Sequence, residues 1–293
     1  ARPQGARGRQ YMVIQHTVKT ANNLFLAPMA GYADMAFIEI ALELGAGMAC
    51  LGLLSAEGII RGSGKTSDIM GKKSGRGPTA IQLFGTDPER MALAAEMVSE
   101  GFDAVDLNFS CPVHKIVKNG SGAALMKNLE LMGAIAARTR AKVKKPLTAK
   151  IRSGWDPASI NAAEAARVLE AAGVDMLTVH ARTRDQMFTG KADWNIIREV
   201  KGAVKIPVVG NGDIKSGADA EKMLKETGCD AVAVGRACIG RPWLAGAIAA
   251  YLETGSEPIT PGLGERKRFM SRHYEGVVTA RGERTGSKEF RKH

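Results

Sequence analysis

Eight short apolar runs recur at even intervals, and their spacing constrains the fold more than any other feature of the chain. They lie at 24–27 (LFLA), 48–53 (MACLGL), 79–84 (TAIQLF), 103–107 (DAVDL), 147–151 (LTAKI), 175–179 (DMLTV), 206–210 (IPVVG) and 230–234 (DAVAV). Short continuous runs of this kind are what strands buried on both faces of a parallel sheet require. Helical patterns fill the gaps. Thr86-Asp87-Pro88-Glu89 sets an oxygen-bearing cap before a proline at a first-turn position, and Met91, Ala94, Ala95 and Val98 then share one face. Asn161 to Ala172 and Ser216 to Thr227 read as further helices. Gly173 and Gly228 close them, because glycine accepts the left-handed conformation that ends a helix. Eight strands alternating with helices predict a (β/α)8 TIM barrel, in preference to an open doubly wound sheet.

The barrel is assigned to residues 21–253 and is preceded by a basic extension, 1–20, in which Met12 is available as an initiating residue. Around Pro258 and Pro261 the pattern changes. Phe269, His273 or Tyr274, Val277 and Val278 then follow helical spacing, so residues 254–293 are expected to begin a helical domain that is truncated at His293.

The formal net charge is +11, and it sits at the ends. Residues 1–20 carry Arg2, Arg7, Arg9 and Lys19 with no acid, and residues 264–293 carry nine Lys or Arg against four Glu. A near-neutral body with basic ends points to a polyanionic partner held by the ends and chemistry in the body. With 45% hydrophobic and 24% charged residues the chain is not of a disordered class. No apolar run reaches the ~18 residues of a membrane span. Cys50, Cys111, Cys229 and Cys238 form neither a disulfide framework nor a metal pair, which fits a reducing, cytoplasmic setting. There is no HExxH, GxGxxG or Cys/His metal spacing, and Gly71-Lys72-Lys73-Ser74 lacks the upstream glycine of a phosphate loop. No metal site is expected.

Barrels work at the carboxyl ends of their strands. Here those ends are Pro28-Met29-Ala30-Gly31, Gln82, Asn108-Phe109-Ser110-Cys111-Pro112, Lys150 with Arg152, His180-Ala181-Arg182, Asn211-Gly212-Asp213 and Gly235-Arg236. Glycine turns after the last two strands suit a phosphate held by backbone N–H groups, with Arg236 adding a bidentate contact. Gln82 and Lys150 interrupt apolar runs, and each needs a partner if buried. That partner is either a local hydrogen bond or a flavin ring. Cys111 reads either as a small buried hydrophobe or, protonated near neutral pH, as a proton donor beside a flexible Gly120-Ser121-Gly122 loop. His180 is either a satisfied core group or, beside Arg182, a contact to an anion or a base edge.

These motifs resemble the tRNA-dihydrouridine synthases, FMN-dependent barrels, most nearly the bacterial type B branch. The resemblance runs from about Leu24 to the last residue. It rests on LAPMAG at 26–31, IQLFG with Gln82, NFSCPVHKIVKNGSGAALM at 108–126, AKIRSGW at 149–155, TVHARTR at 178–184, GNGDI at 210–214, GRACIGRPW at 235–243 and EFRKH at 289–293. It implies that Pro28, Met29 and Ala30 line the flavin, that Gln82 and Lys150 bond its ring, and that His180 lies beside it. Asn211, Gly212, Asp213, Gly235 and Arg236 would hold ribityl and phosphate, and Asn108 and Arg182 would contact the target nucleotide. The implied reaction has NADPH reduce FMN and a tRNA uridine leave its stack. Hydride then passes from flavin N5 to uracil C6, and Cys111 protonates C5. The sequence departs from the family's usual motifs at Tyr32–Ile38 and at Leu51–Ala56, where no acid stands at the usual Glu position. The expected protein is a monomer acting on tRNA. The rival readings are an FMN barrel acting on a free pyrimidine or small molecule, and a flavin-retaining RNA-binding protein without activity.

Overall fold

Eight parallel strands close into a barrel in the computed structural model, which describes residues 13–14, 18–62 and 75–293. Arg2, Arg7, Arg9, Met12 and the Gly71–Ser74 segment lie outside the described residues. The strands are β1 (Leu24–Leu26), β2 (Met48–Ser55), β3 (Thr79–Phe84), β4 (Ala104–Phe109), β5 (Leu147–Arg152), β6 (Met176–His180), β7 (Val208–Asn211) and β8 (Ala231–Val234). Each pairs with the next, and β8 returns to β1 with Val232 opposite Leu24. The closed ring excludes the open doubly wound sheet. Ahead of it, Val13–Ile14 and Val18–Lys19 form a small antiparallel ribbon that the spacing of apolar runs does not indicate.

The longer barrel helices are α1 (Met35–Glu43), α2 (Pro88–Ser99), α3 (Leu129–Lys142), α4 (Ala162–Ala171), α5 (Trp194–Ala203), α6 (Gly217–Thr227) and α7 (Trp243–Thr254). Their starts follow local chemistry. Asp87 caps α2 by accepting from the Arg90 N–H at 2.9 Å, with Pro88 in the first turn. Ser216 caps α6 by accepting from the Asp219 N–H at 3.1 Å, and Gly228 ends that helix at φ +69°. Met91, Ala94, Ala95 and Val98 of α2 are all buried.

Period-two alternation sorts the strand residues. On β5, Leu147, Ala149 and Ile151 belong to the core between sheet and helices, while Lys150 and Arg152 line the cavity at the barrel's open end. Inside the barrel, Phe25, Met48, Ala80, Ala104, Met176, Val209, Ala231 and Ala233 form an apolar plug.

Two helices follow the barrel, α8 (Leu263–Arg281) and α9 (Glu283–Phe290). They dock on α1. Arg272 makes a two-pronged pair with Glu43 at 2.9 and 2.7 Å, and the His273 ring lies 5.4 Å from that of Phe37. Gly276 permits the close approach, since a Cβ there would stand 2.5 Å from the Ala36 Cβ. Phe269, His273 and Val277 are the buried face, so His273, not the half-buried Tyr274, takes the inward position. Among the described residues no helix is long and apolar enough to cross a membrane.

Candidate active site

The carboxyl ends of the strands surround a cavity of about 820 Å³, a volume suited to a cofactor or small ligand. Its wall includes Pro28, Met29 and Ala30 after β1, Gln82 on β3, and Asn108 and Cys111 at the end of β4. Lys150, His180 and Arg182, Asn211 to Asp213, and Gly235 with Arg236 complete it. Residues scattered over two hundred positions thus meet at one place.

A buried polar chain crosses the barrel beneath Cys111. Asp106 accepts from the Gln82 amide Nε2 at 2.7 Å, and the Thr148 hydroxyl also donates to it. Gln82 Oε1 accepts from Asn108 Nδ2 at 2.7 Å. Asn108 Oδ1 in turn accepts from the Cys111 N–H at 2.9 Å and the Ser110 N–H at 3.3 Å. One chain of side chains therefore orients both the Gln82 amide and the backbone of the cysteine turn. Burial pushes the Asp106 carboxyl above the usual carboxylate range. Gly52 makes room for the chain, since a Cβ at that position would stand 2.7 Å from the Gln82 Cβ.

Cys111 is half-buried, and burial pushes its thiol upward from its ordinary value. At neutral pH it carries its proton, the state a proton donor needs. The Gly120-Ser121-Gly122 segment, expected to be a flexible loop, is packed on this cysteine. Ser121 is buried, the Ala123 N–H donates to the Cys111 carbonyl at 3.0 Å, and Gly122 (φ +61°) has room for no Cβ, which would meet that carbonyl at 2.7 Å.

The cavity wall beside and beyond Cys111 is cationic. Lys150, Arg152, Arg182, Lys215, Arg236 and Arg241 line the cavity, against Asp213 as the one carboxylate among the described residues that line it. Lys150 donates to Asn211 Oδ1 at 3.1 Å, and Asn211 Nδ2 donates to the Ala233 carbonyl at 2.7 Å. Burial, with Arg152 nearby, pulls the Lys150 ammonium down to about 7. Burial and the same cations hold His180 well below its ordinary value, so its imidazole is neutral. Arg152 is fully buried and donates to the carbonyls of Ser110, Thr183 and Met187.

Several expected contacts have protein partners. Gln82 and Lys150 are satisfied in part by Asp106, Asn108 and Asn211. An ammonium has three protons and an amide nitrogen two, so each retains capacity toward the cavity. Arg182 is only 2% exposed; its Nη2 holds Asp213 at 2.8 and 2.9 Å and the Gly190 carbonyl at 2.7 Å. It braces the wall and does not project into solvent. Asp213 (φ +59°) also accepts from the Ala192 N–H at 2.7 Å, so its carboxylate is spent on this bracing. Beside it Gly212 (φ +129°) brings the backbone so close that a Cβ would stand 2.8 Å from the Ala192 Cβ.

Asp106 and Phe188 belong to the site and were not among the expected residues. Asp106 was discoverable: it lies two positions before Asn108, hence on the same strand face, and is an acid inside an apolar run. Phe188 lies in a loop where periodicity is silent.

The family model described as "Dihydrouridine synthase (Dus)" matches residues 25–293. A protein of Rickettsia conorii named "Probable tRNA-dihydrouridine synthase" is 41% identical over 281 residues, covering 94% of this chain and 84% of that protein. One of Shewanella oneidensis named "tRNA-dihydrouridine synthase B" is 38% identical over 273 residues, covering 93% and 85%. Among solved structures, histamine dehydrogenase from Rhizobium sp. 4-9 superposes with a TM-score of 0.62 at 16% identity, over 84% of this chain and 47% of that one. The old yellow enzyme homologue of Zymomonas mobilis does so with a TM-score of 0.54 at 14% identity, over 88% and 95%. The structural likenesses establish the barrel alone, and the sequence matches extend across the cavity wall and both terminal helices. This chain belongs to the dihydrouridine synthase family.

Proposed function

We propose that this chain holds FMN in the barrel cavity and uses NADPH to reduce specific tRNA uridines to 5,6-dihydrouridine. The observation that carries the reading is the meeting of a protonated thiol, Cys111, with the cations Lys150, Arg152, Arg182 and Arg236 in the wall of one cavity. The donor set suits FMN. Lys150 and Gln82 face a ring rich in acceptors, and Arg236 with the Gly212 and Gly235 turns suits a phosphate. When bound, FMN supplies hydride, drawn from NADPH, to uracil C6.

The chain's own groups do the rest. Cys111 Sγ donates its proton to uracil C5. Asn108 fixes the backbone from which that thiol projects, and Asp106 fixes Asn108 through Gln82. Neutral His180 lines the cavity without adding charge. Arg182, with Asp213, holds the turn on which the phosphate end rests. The exposed cations of α8, α9 and the residue that follows, including Lys267, Arg284, Lys288 and Arg291, suit the RNA backbone, and these helices are read as a tRNA-binding element. Such a reaction belongs in the cytoplasm, where tRNA and NADPH meet.

The test uses purified protein. The released cofactor should be FMN, and NADPH with unmodified tRNA should yield dihydrouridine. Colourless protein that cannot be reconstituted with FMN contradicts the reading.

A further inference from the structure

The loop between β6 and α5 holds one large aromatic side chain half in solvent, and holds it firmly. Phe188 is 43% exposed, yet it lines the cavity together with the buried Lys150, Arg152, His180 and Arg182. Beneath it, Arg152 Nη1 donates to the Thr183 and Met187 carbonyls at 2.7 and 2.8 Å. Arg182 donates to the Thr189 and Gly190 carbonyls at 3.0 and 2.7 Å. The two guanidiniums are 1% and 2% exposed. The Thr183 N–H donates to Gln186 Oε1 at 2.8 Å.

Met187, the residue before the phenylalanine, has φ +51°, a conformation that non-glycine residues seldom adopt. Backbone strain of this sort persists where surrounding contacts over-determine it, and it gathers at functional sites. Burial of the ring would favour folding. The loop does the opposite: it uses buried cations and a strained residue to keep the ring at the rim.

The surroundings identify what the ring takes. The Arg236 guanidinium lies 4.5 Å from the ring centroid and that of Arg152 5.4 Å, while the His180 ring is 6.1 Å away. An exposed aromatic ring held rigidly at the rim of a cationic cavity is a platform on which proteins stack a base of an unpaired nucleic-acid strand. We propose that Phe188 is a stacking platform for a nucleobase adjacent to the uridine that enters the cavity. The inference rests on the RNA-reducing function above. The target base must pass to Cys111 and the buried Gln82–Asn108 pair, so the rim is left for a neighbour. Stacking there holds open the strand from which the uridine has swung.

The test compares the FMN-loaded protein with its Phe188→Leu and Phe188→Tyr forms on an unmodified tRNA transcript. Stacking of one base predicts that Phe188→Leu raises the Kd and KM for tRNA by about 5- to 100-fold, with a far smaller change in kcat. The slope of log affinity against log salt should not move, because the ring neutralises no phosphate. Phe188→Tyr should restore affinity. Phe188→Leu equal to the parent protein, loss of FMN together with affinity, or no recovery in Phe188→Tyr each overturns the proposal. A parent protein that binds tRNA without reducing it overturns the proposed chemistry instead, and Phe188 is then judged on Kd alone.

Discussion

The Asn108 side-chain oxygen accepts from the backbone N–H of Cys111 at 2.9 Å, across the turn that ends β4. The same side chain donates to Gln82 at 2.7 Å, so one amide ties the cysteine turn to the barrel interior. Asn108 is 4% exposed, and water cannot replace these bonds.

Asn108→Ala should therefore harm both stability and turnover. It strands the Cys111 N–H and the Gln82 carbonyl, and orphaned buried groups cost about 1–3 kcal/mol each. Denaturant unfolding should report a loss on that scale. Dihydrouridine formation should fall further than FMN content does, since the cofactor's other contacts remain. Unchanged stability and turnover would show that the hydrogen bond does not position the thiol.

Lys150 gives a pH dependence with a definite sign. Its ammonium is pulled to about 7 in the fold from 10.5, because burial disfavours the charge. Below about pH 7 the folded and unfolded chains both carry this proton. Between there and 10.5 only the unfolded chain does, so this group makes the cofactor-free protein more stable as pH rises across that window. A flavin that accepts a hydrogen bond from the ammonium raises its pKa again. FMN binding should then take up a proton above pH 7 and weaken as pH climbs. Calorimetric titrations in buffers of different ionisation enthalpy measure that uptake. Zero uptake at pH 8, or tighter binding there, would remove Lys150 from the flavin contact.

The basic helices predict a salt dependence that the barrel does not share. Lys267 on α8, Arg284 and Lys288 on α9, and Arg291 just after it are exposed. Replacing each by Gln should reduce the slope of log tRNA affinity against log salt by roughly 0.7–0.9 for every phosphate left without its cation. FMN content should stay constant, because none of the four lines the cavity. A salt titration of the fourfold variant that retains the full slope would place the RNA on the near-neutral barrel instead.

How much of this could be read from the sequence depends on how local the cause is. Strands announced themselves because eight apolar runs have no other use at that spacing, and the Asp87-Pro88 and Ser216…Gly228 signals marked helix ends by chemistry confined to one turn. Strand-end polar residues such as Gln82 and Lys150 stood out against apolar neighbours, and all converge on the cavity. What escaped was relational. Nothing local says that Arg182 is committed to Asp213, thirty-one positions on, or that Gly122 folds back on Cys111 instead of leaving a loose loop. Gly52 looks like a departure from the family's second strand until the Gln82 Cβ is seen where its own Cβ would need to be. Phe188 carried no signal, since an aromatic residue in a loop is informative only once its exposure and its cationic neighbours are known.

The central claim is that Cys111 protonates a tRNA uridine after hydride delivery, and Cys111→Ala measures it most directly. The variant should keep FMN and be reduced by NADPH, because the thiol is called on only after both steps. With unmodified tRNA it should form dihydrouridine about 10²–10⁴-fold more slowly than the parent protein, the range over which a positioned proton donor acts. Dihydrouridine formed by Cys111→Ala at the parent rate would contradict the account.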